Sequence, residues 1–328
     1  MIIMDKKEGV TMKQHHFTVK SHMDGLPLSV LLVEPDIAPK AIVQILHGMC
    51  ENKERYEHFM RYLARQGFVS VIHDHRGHGG SVYSKDDLGY LYANGAKYLV
   101  EDCNQISRMA RKRYKELPIY LLGHSMGSLV ARAYIKRYDR VIDGLILTGS
   151  PSYNPALKFV YPLTKIAGKI FGDRTEGHFV QKLVLGSYNR KLDKPASENS
   201  WICSDEDVVK NYDESDLCGF IFTLNGFEHL FKLMITVYDK HHWHMNNKRL
   251  PIWFASGSED PCMNTQGDFI KAVNLMKDVG YKNVKYTLYK GMRHEILNEK
   301  DRKKVYHDIV TKIEVWLNQG NYGAVRRK

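Results

Sequence analysis

The sequence predicts an α/β fold, a mostly parallel central sheet flanked by helices, with a helical insertion. Three observations carry that prediction. Short apolar runs alternate with helical patterns along the chain. The alternation breaks once, over about residues 150–245, and then resumes. A serine between two glycines sits where one strand-like run becomes a helix. Short β-rich runs separated by helices of ten or more residues imply βαβ units, and such units build a parallel sheet.

Taken in order, HHFTVKSH and LSVLLVEP, parted by MDGLP, read as a hairpin at an edge. Residues 1–14 ahead of it are expected to form a flexible arm. AIVQILHG (41–48) is a buried-strand run, and RYEHFMRYLARQG (55–67) is helical in period and ends on a glycine. FVSVIHDH (68–75) is strand-like and YLVEDCNQISRMARKRY (98–114) helical. PIYLLG (118–123) and SLVARAYIKRYD (128–139) repeat the alternation, and DGLILTG (143–149) adds another buried strand. PIWFASG (251–257), DFIKAVNLMKDVG, VKYTLYKG and VYHDIVTKIEVWLNQ resume it, so the expected core is 15–149 with 246–320. The interruption, 150–245, holds no bounded strand-like run and is expected to be a helical cap over the sheet's carboxyl edge.

At 328 residues and 43% hydrophobic, the chain can bury a large core. No apolar run reaches the ~20 residues that span a bilayer, and MIIMDKKEGVTMKQHH is not expected to act as a secretory signal. Five cysteines, an odd number without a C-x-x-C pair, predict a reducing, cytoplasmic setting. The formal charge of +11 is spread along the chain with no nucleic-acid motif, so nucleic acid is not an expected partner. An anionic surface or an acidic substrate stays open.

YLLGHSMGSLV (120–130) carries the chemistry. Ligands of open α/β sheets gather at the strands' carboxyl ends, where Ser125 falls. A sharp strand-to-helix turn exposes the hydroxyl and crowds its neighbours, a steric reason for Gly123 and Gly127. Serine needs a base, and the base needs a carboxylate to orient it. On this kind of sheet the expected chain order is serine, acid, histidine. Asp260 in FASGSEDP and His294 in LYKGMRHEIL each follow a strand and supply that order. Of the rival acids, Glu259 is expected to point the other way and Asp268 lies in a helix. The oxyanion donors are expected to be the backbone N–H groups of Met126, after the nucleophile, and Met49, in ILHGMCENKERY.

HGMCENKERY, DHRGHGGS (74–81), GHSMG, GSEDP and GMRHEILNE together resemble the α/β-hydrolase superfamily, within it the monoacylglycerol lipase/lysophospholipase group, also called serine aminopeptidase-like (S33). The resemblance spans about residues 41–300, the cap matching in position only. It implies the triad Ser125, Asp260 and His294 with the Met49 and Met126 oxyanion hole. It also implies that Glu51 and Arg55 lie near the polar headgroup, and His124 joins them as a candidate substrate-binding residue. The lipases carry a headgroup-contacting histidine three residues after the catalytic one, and this chain has Leu297 there.

The expected activity is serine hydrolysis of carboxylic esters, acyl glycerol or lysophospholipid, through an acyl-enzyme, without metal or organic cofactor. An aminopeptidase or acyltransferase on the same fold is the alternative, and a non-enzymatic ligand receptor the reading from another class. For an aminopeptidase, Glu198, Asp205, Glu206, Asp207, Asp213, Glu214 and Asp216 offer acids for a substrate amine. HDHRGH (73–78) reads as a structural turn rather than a zinc site, since Gly77 stands where binuclear zinc hydrolases need Asp. HHWH (241–244) has no companion carboxylate and reads as an exposed or cap-packed stretch.

In KFVYPLTKIAGKIF (158–171), Lys158, Lys165 and Lys169 share one side, and Phe159, Leu163, Ile166 and Ile170 face away. Pro162 and Gly168 are expected to interrupt a continuous helix. The basic side could rest on an anionic membrane surface. The apolar side is expected to line an acyl tunnel or pack on the core. Cys50 and Cys262 are expected bystanders near the pocket.

Overall fold

The protein is described by a computed structural model that covers residues 2–5 and 10–319. Its strands are β1 (Ile2–Asp5), β2 (Val10–Lys20), β3 (Pro27–Pro35), β4 (Ala41–Leu46), β5 (Phe68–His73), β6 (Ile119–His124), β7 (Gly144–Thr148), β8 (Ile252–Gly257) and β9 (Val284–Tyr289). The helices are α1 (Glu57–Arg65), α2 (Gly95–Arg113), α3 (Met126–Tyr138), α4 (Leu157–Phe171), α5 (His178–Leu185), α6 (Glu206–Asp213), α7 (Leu224–Tyr238), α8 (Gln266–Asp278) and α9 (Arg302–Asn318). The strands form one sheet in the order β1-β2-β3-β5-β4-β6-β7-β8-β9. β1, β2 and β3 run antiparallel to their neighbours, and every pairing from β5 to β9 is parallel.

The inner parallel strands β4 to β8 are buried along their whole length and read as nearly continuous apolar runs because both faces are covered. Ile42, Ile119, Leu121, Ile252 and Phe254 enter one core with Leu129 of α3 and Phe269 of α8. The alternate residues Val43, Ile45, Tyr120, Trp253 and Ala255 enter the other, against Phe59 of α1 and Trp316 of α9. This two-residue period feeds two separate cores and fixes the register of each strand.

The amino-terminal end departs from the expected flexible arm. β2 begins at Val10 and pairs with β3 from Met12 onward, and Ile2–Asp5 pairs antiparallel with it. The reason is alternation: Met12 and Gln14 point inward and are buried, while Lys13 between them is exposed. Met1 and residues 6–9 of that expected arm lie outside the described residues, as does residue 320 at the far end of the expected core.

Between β7 and β8 the chain folds as α4 to α7 and, among the described residues, contributes no strand to the sheet. α4 continues through Pro162 and Gly168, contrary to the expected break. Pro162 removes one backbone donor from the ladder; packing of α4 on α7 outweighs that loss, with Leu157, Val160, Thr164 and Ala167 buried. The stripe is therefore small and partly polar. Phe159, Leu163, Ile166 and Ile170, expected to face the core or a tunnel, are exposed instead. HHWH is mostly exposed, with His241, His242 and His244 on the surface. Among the described residues no helix is long and apolar enough to cross a membrane.

HDHRGH folds as a tight buried turn. Asp74 accepts from the Lys53 N–H and Nζ and from the Gly80 N–H, all at 2.8 Å. Arg76 is buried and bridges Asp102 and Asp24. Around the turn, His47, His73, His75 and His78 are fully buried, with His47 and His75 ring centroids 4.4 Å apart. Their metal-binding atoms do not converge, since Asp260, Cys262 and His294 form the one such group among the described residues. Neither ring nitrogen of His73 or His75 has a hydrogen-bond partner in the described chain. Burial holds His73 at a pKa of about 3 and His78 at about 4, and pushes His47 and His75 well below the usual imidazole range.

These rings fold neutral, whereas the unfolded chain takes up protons below about pH 6.5. Their contribution to stability is thus whole above that pH and declines as pH falls toward their folded pKa values. Each such histidine withdraws about 1.4 kcal/mol per pH unit. Urea midpoints should therefore fall steeply between about pH 7 and pH 5, and His73→Leu should flatten the slope by about one proton. A pH-independent midpoint over that window would contradict the assignment.

Candidate active site

The carboxyl ends of β4, β6, β7, β8 and β9 meet at one edge, and the loops that follow them build a cavity closed over by residues of α5 and α7. An open groove of about 820 Å³ lies between the end of α7 and α8, lined by neither Ser125 nor His294. The cavity at the sheet edge is the one that Ser125 and His294 line.

Ser125 joins β6 directly to α3 with φ 51° and ψ −118°. A non-glycine residue there is strained by about 1–3 kcal/mol, and its surroundings must hold it. They do so by close packing. A Cβ on Gly123 would strike the Gly127 carbonyl, and one on Gly127 would strike the carbonyls of Leu46 and His47 at the end of β4. The Ser125 N–H donates to the Thr148 carbonyl of β7 (2.9 Å), and its carbonyl accepts from the Ser128 N–H (2.9 Å) and hydroxyl (2.6 Å). The turn is thereby clamped on both sides.

His294 is placed by Asp260. The imidazole Nδ1 donates to Asp260 Oδ1 at 2.9 Å, and that carboxylate also accepts from the Cys262 N–H (2.9 Å) and the Ser256 hydroxyl (2.8 Å). Burial raises the Asp260 pKa, but the His294 charge and these donors outweigh it and hold the carboxyl below its usual value. Burial likewise opposes charge on His294, and the Asp260 carboxylate overcomes it, holding the imidazole well above its usual pKa. With Nδ1–H committed to the carboxylate, the neutral ring carries its free lone pair on Nε2. It lies 3.9 Å from Cys262 Sγ, and among the described residues the Ser125 hydroxyl makes no hydrogen bond.

The structure brings Ser125, Met49, Met126, Glu51, His124 and His294 to the cavity wall, with Asp260 behind the imidazole. A Cβ on Gly48 would come within 3.1 Å of Ser125 Cβ, so the loop after β4 lies directly over the serine. The Met49 and Met126 N–H groups find no acceptor among the described residues, Met126 being the first residue of α3. His124 is buried against His294, ring centroids 4.7 Å apart, with Nδ1 3.1 Å from the Thr148 hydroxyl. Burial and the charge of His294 hold its pKa down to about 3. Glu259 is exposed and Asp268 pairs with Lys271 on the surface of α8, so neither rivals Asp260.

Arg55 is not among the lining residues. Its guanidinium grips Glu295 through two 2.6 Å bonds and Glu51 at 2.7 Å, and it stacks over Tyr212. The direct headgroup contact expected of it is taken up by this internal network. Glu51 in turn accepts from the Gly48 N–H and from the Tyr56 hydroxyl. Burial raises the Glu51 pKa against the pull of Arg55; Glu295, buried too, is held down to about 2 by Arg55. None of the seven acids proposed for an amine site lines the cavity. Glu295, Trp201, Tyr188 and Tyr212 do, and sequence reasoning had not singled them out. Only Glu295 carried a signal, its place beside His294.

Cys50 and Cys262 also line the cavity, and burial pushes both thiols above their usual pKa. Asp260, Cys262 and His294 are the residues whose donor atoms could surround an ion, lying within 4.8 Å of one another. The five cysteines are all free and buried.

Comparison with known proteins follows the same lines. A family model described as serine aminopeptidase, S33, matches residues 37–301. A monoacylglycerol lipase of Mycolicibacterium smegmatis is 25% identical over 92% of this chain and 96% of its own. A monoglyceride lipase of Rattus norvegicus is 24% identical over 90% and 88%. Among solved structures, a thermostable carboxyl esterase from Bacillus coagulans in complex with glycerol superposes with a TM-score of 0.85 at 26% identity, covering 93% of this chain and 99% of that one. The motifs, the sheet order and the matched span agree, and the chain belongs to the serine aminopeptidase S33 family of α/β-hydrolases.

Proposed function

We propose that this protein is a serine hydrolase of carboxylic esters, acting on acyl glycerols or lysophospholipids, with Ser125, Asp260 and His294 as its catalytic triad. The observation that carries this is a strained serine at the strand–helix turn, sharing one cavity with an imidazole whose other nitrogen is held by a buried carboxylate. In this reading His294 Nε2 takes the Ser125 proton as the hydroxyl attacks the ester carbonyl. The Met49 and Met126 N–H groups receive the developing oxyanion, and water activated by His294 releases the acid from the acyl-enzyme. The hydrogen bond from Ser125 to Nε2 forms with substrate bound, when such contacts tighten. The relatives' names as lipases and the apolar wall of Leu129, Val184, Leu185, Leu230 and Met234 support an acyl substrate.

α4 to α7 act as the cap, and its outer face docks on an anionic lipid surface. Seven of the twelve large apolar side chains exposed among the described residues belong to two short helices and their ends: Phe159, Leu163, Ile166, Ile170 and Phe171 of α4, Phe179 and Leu183 of α5. Exposed patches of this kind mark interaction sites. The same two helices expose Lys158, Lys165, Lys169 and Lys182, the charge that suits anionic lipid. α5 also supplies Gln181, Val184 and Leu185 to the cavity, so apolar surface continues from the outer face toward Ser125. The free cysteines suit a cytoplasmic setting.

Ser125→Ala should lower p-nitrophenyl ester turnover by at least about a thousandfold with an unchanged melting curve; retained turnover would end the assignment. Because the base must be neutral and its pKa is raised, kcat/KM should keep climbing with pH above the ordinary imidazole value. Asp260→Asn should move that acid limb to lower pH while cutting the rate, and a limb that stays put would remove Asp260 from the reading. For the cap, Ile166→Glu with Ile170→Glu should weaken sedimentation with phosphatidylglycerol vesicles by about tenfold or more. It should reduce hydrolysis of vesicle-borne ester far more than of a soluble short-chain ester; equal losses on both would refute docking.

A further inference from the structure

The chain carries a formal charge of +11, yet no lysine or arginine lines the cavity and two glutamates do, Glu51 and Glu295. They are 2% and 5% exposed, and the one guanidinium beside them, Arg55, is shared between both. The donors on these carboxylates show which protonation state the fold is built for. Glu51 accepts from Gly48 N–H, Tyr56 O–H and Arg55, and Glu295 accepts from two Arg55 nitrogens and from Asn298 Nδ2 at 2.9 Å. Every oxygen of the two groups accepts at least one of these donors, an arrangement that favours the ionised form of both. Two carboxylates around one guanidinium leave one negative charge in excess. Asp260 adds another of the same sign, balanced only while His294 is protonated. The next arginine, Arg293, is turned away onto the Ser200 and Cys203 carbonyls at 2.7 and 2.9 Å.

The rest of the lining divides by chemistry. α3, α5 and α7 supply the aliphatic side chains suited to an acyl chain. The segment between α5 and α7 is tied to the loops of Glu51 and Glu295 by the bonds from Gly219 N–H to the Cys50 carbonyl and from Glu295 N–H to the Ile202 carbonyl. It brings Asn199, Trp201, Tyr212 of α6 and Phe220, polar and aromatic groups suited to the alcohol. Aromatic faces attract a cation, the more so with ionised carboxylates behind them in a site shielded from water.

Building on the ester-hydrolase reading, we infer that the alcohol end of the cavity selects a positively charged, ammonium-bearing leaving group, with Glu295 as a specificity-determining residue. An anionic leaving group such as a phosphate-bearing glycerol meets the same excess charge as repulsion, so within the ester-hydrolase reading lysophospholipids rank below esters of neutral or cationic alcohols. Glu295 follows His294 directly, so the charge that reads the alcohol is fixed to the loop that holds the base.

The test compares butyryl esters that differ only in the alcohol: choline, its neutral isostere 3,3-dimethylbutanol, and glycerol phosphate. The wild type should prefer choline to the isostere by about tenfold or more in kcat/KM and disfavour the phosphate ester by a similar factor. Glu295→Gln keeps the shape and removes one charge, so the choline-to-isostere ratio should drop at least about threefold whatever happens to the common rate. If that variant fails to fold, Glu51→Gln is read in the same way. Hydrolysis of choline and isostere esters within about twofold of each other, or a ratio unmoved by the substitution, overturns the inference while leaving the esterase intact. Failure of the wild type to hydrolyse any of the three overturns the esterase reading, and the inference falls with it.

Discussion

A strained turn underlies this site. Ser125 holds a backbone conformation that side-chain-bearing residues avoid, and it can do so because α3 lies almost on top of the carbonyls at the end of β4. The absence of a Cβ at Gly123 and Gly127 permits that approach, and the bond from Ser125 N–H to Thr148 of β7 locks it. The strain is sustained by the sheet, since β4, β6 and β7 are adjacent strands with both faces buried. The hydroxyl that results is tied to the scaffold from two neighbouring strands.

Around that turn the polar groups are arranged in two buried networks. One runs from Ser256 and Cys262 through Asp260 to His294. The other runs from Gly48 through Glu51, Arg55 and Glu295 to Asn298, linking the loop over the serine to the loop of the histidine. A buried charge cluster of this kind is weak evidence of stability, because desolvation offsets much of the attraction. Its stronger consequence is geometric and electrostatic: it joins two functional loops and gives the cavity a sign opposite to that of the chain.

The fold was largely readable from alternation. A hairpin pattern predicted β2 and β3, though β2 starts earlier than expected, and short apolar runs separated by helices of 3.6 period predicted β4 to β9. The placement of Ser125, Asp260 and His294 at one sheet edge was readable too, because each of these residues follows a strand-like run that the sheet must bring there. The first strand was not readable, because Ile2–Asp5 is too short to show a period and pairs with a segment already occupied by β3. α4 misled for a physical reason. Its large apolar residues looked like a core face, but the helix buries the smaller stripe of Val160, Thr164 and Ala167 against α7 and leaves the larger one in solvent.

Sequence by itself determined the strands from β2 to β9, the helices between the parallel ones, and the residue types that end at the sheet's carboxyl edge. Periodicity and chain order are local properties, and they survive without knowledge of neighbours. Tertiary structure alone decided where Arg55 points, that Glu295 shares it, and that Trp201 and Tyr212 reach the cavity. Those facts depend on which side chains meet across separations of up to 240 residues, and a single half-buried guanidinium can satisfy only the carboxylates that the fold places within its reach.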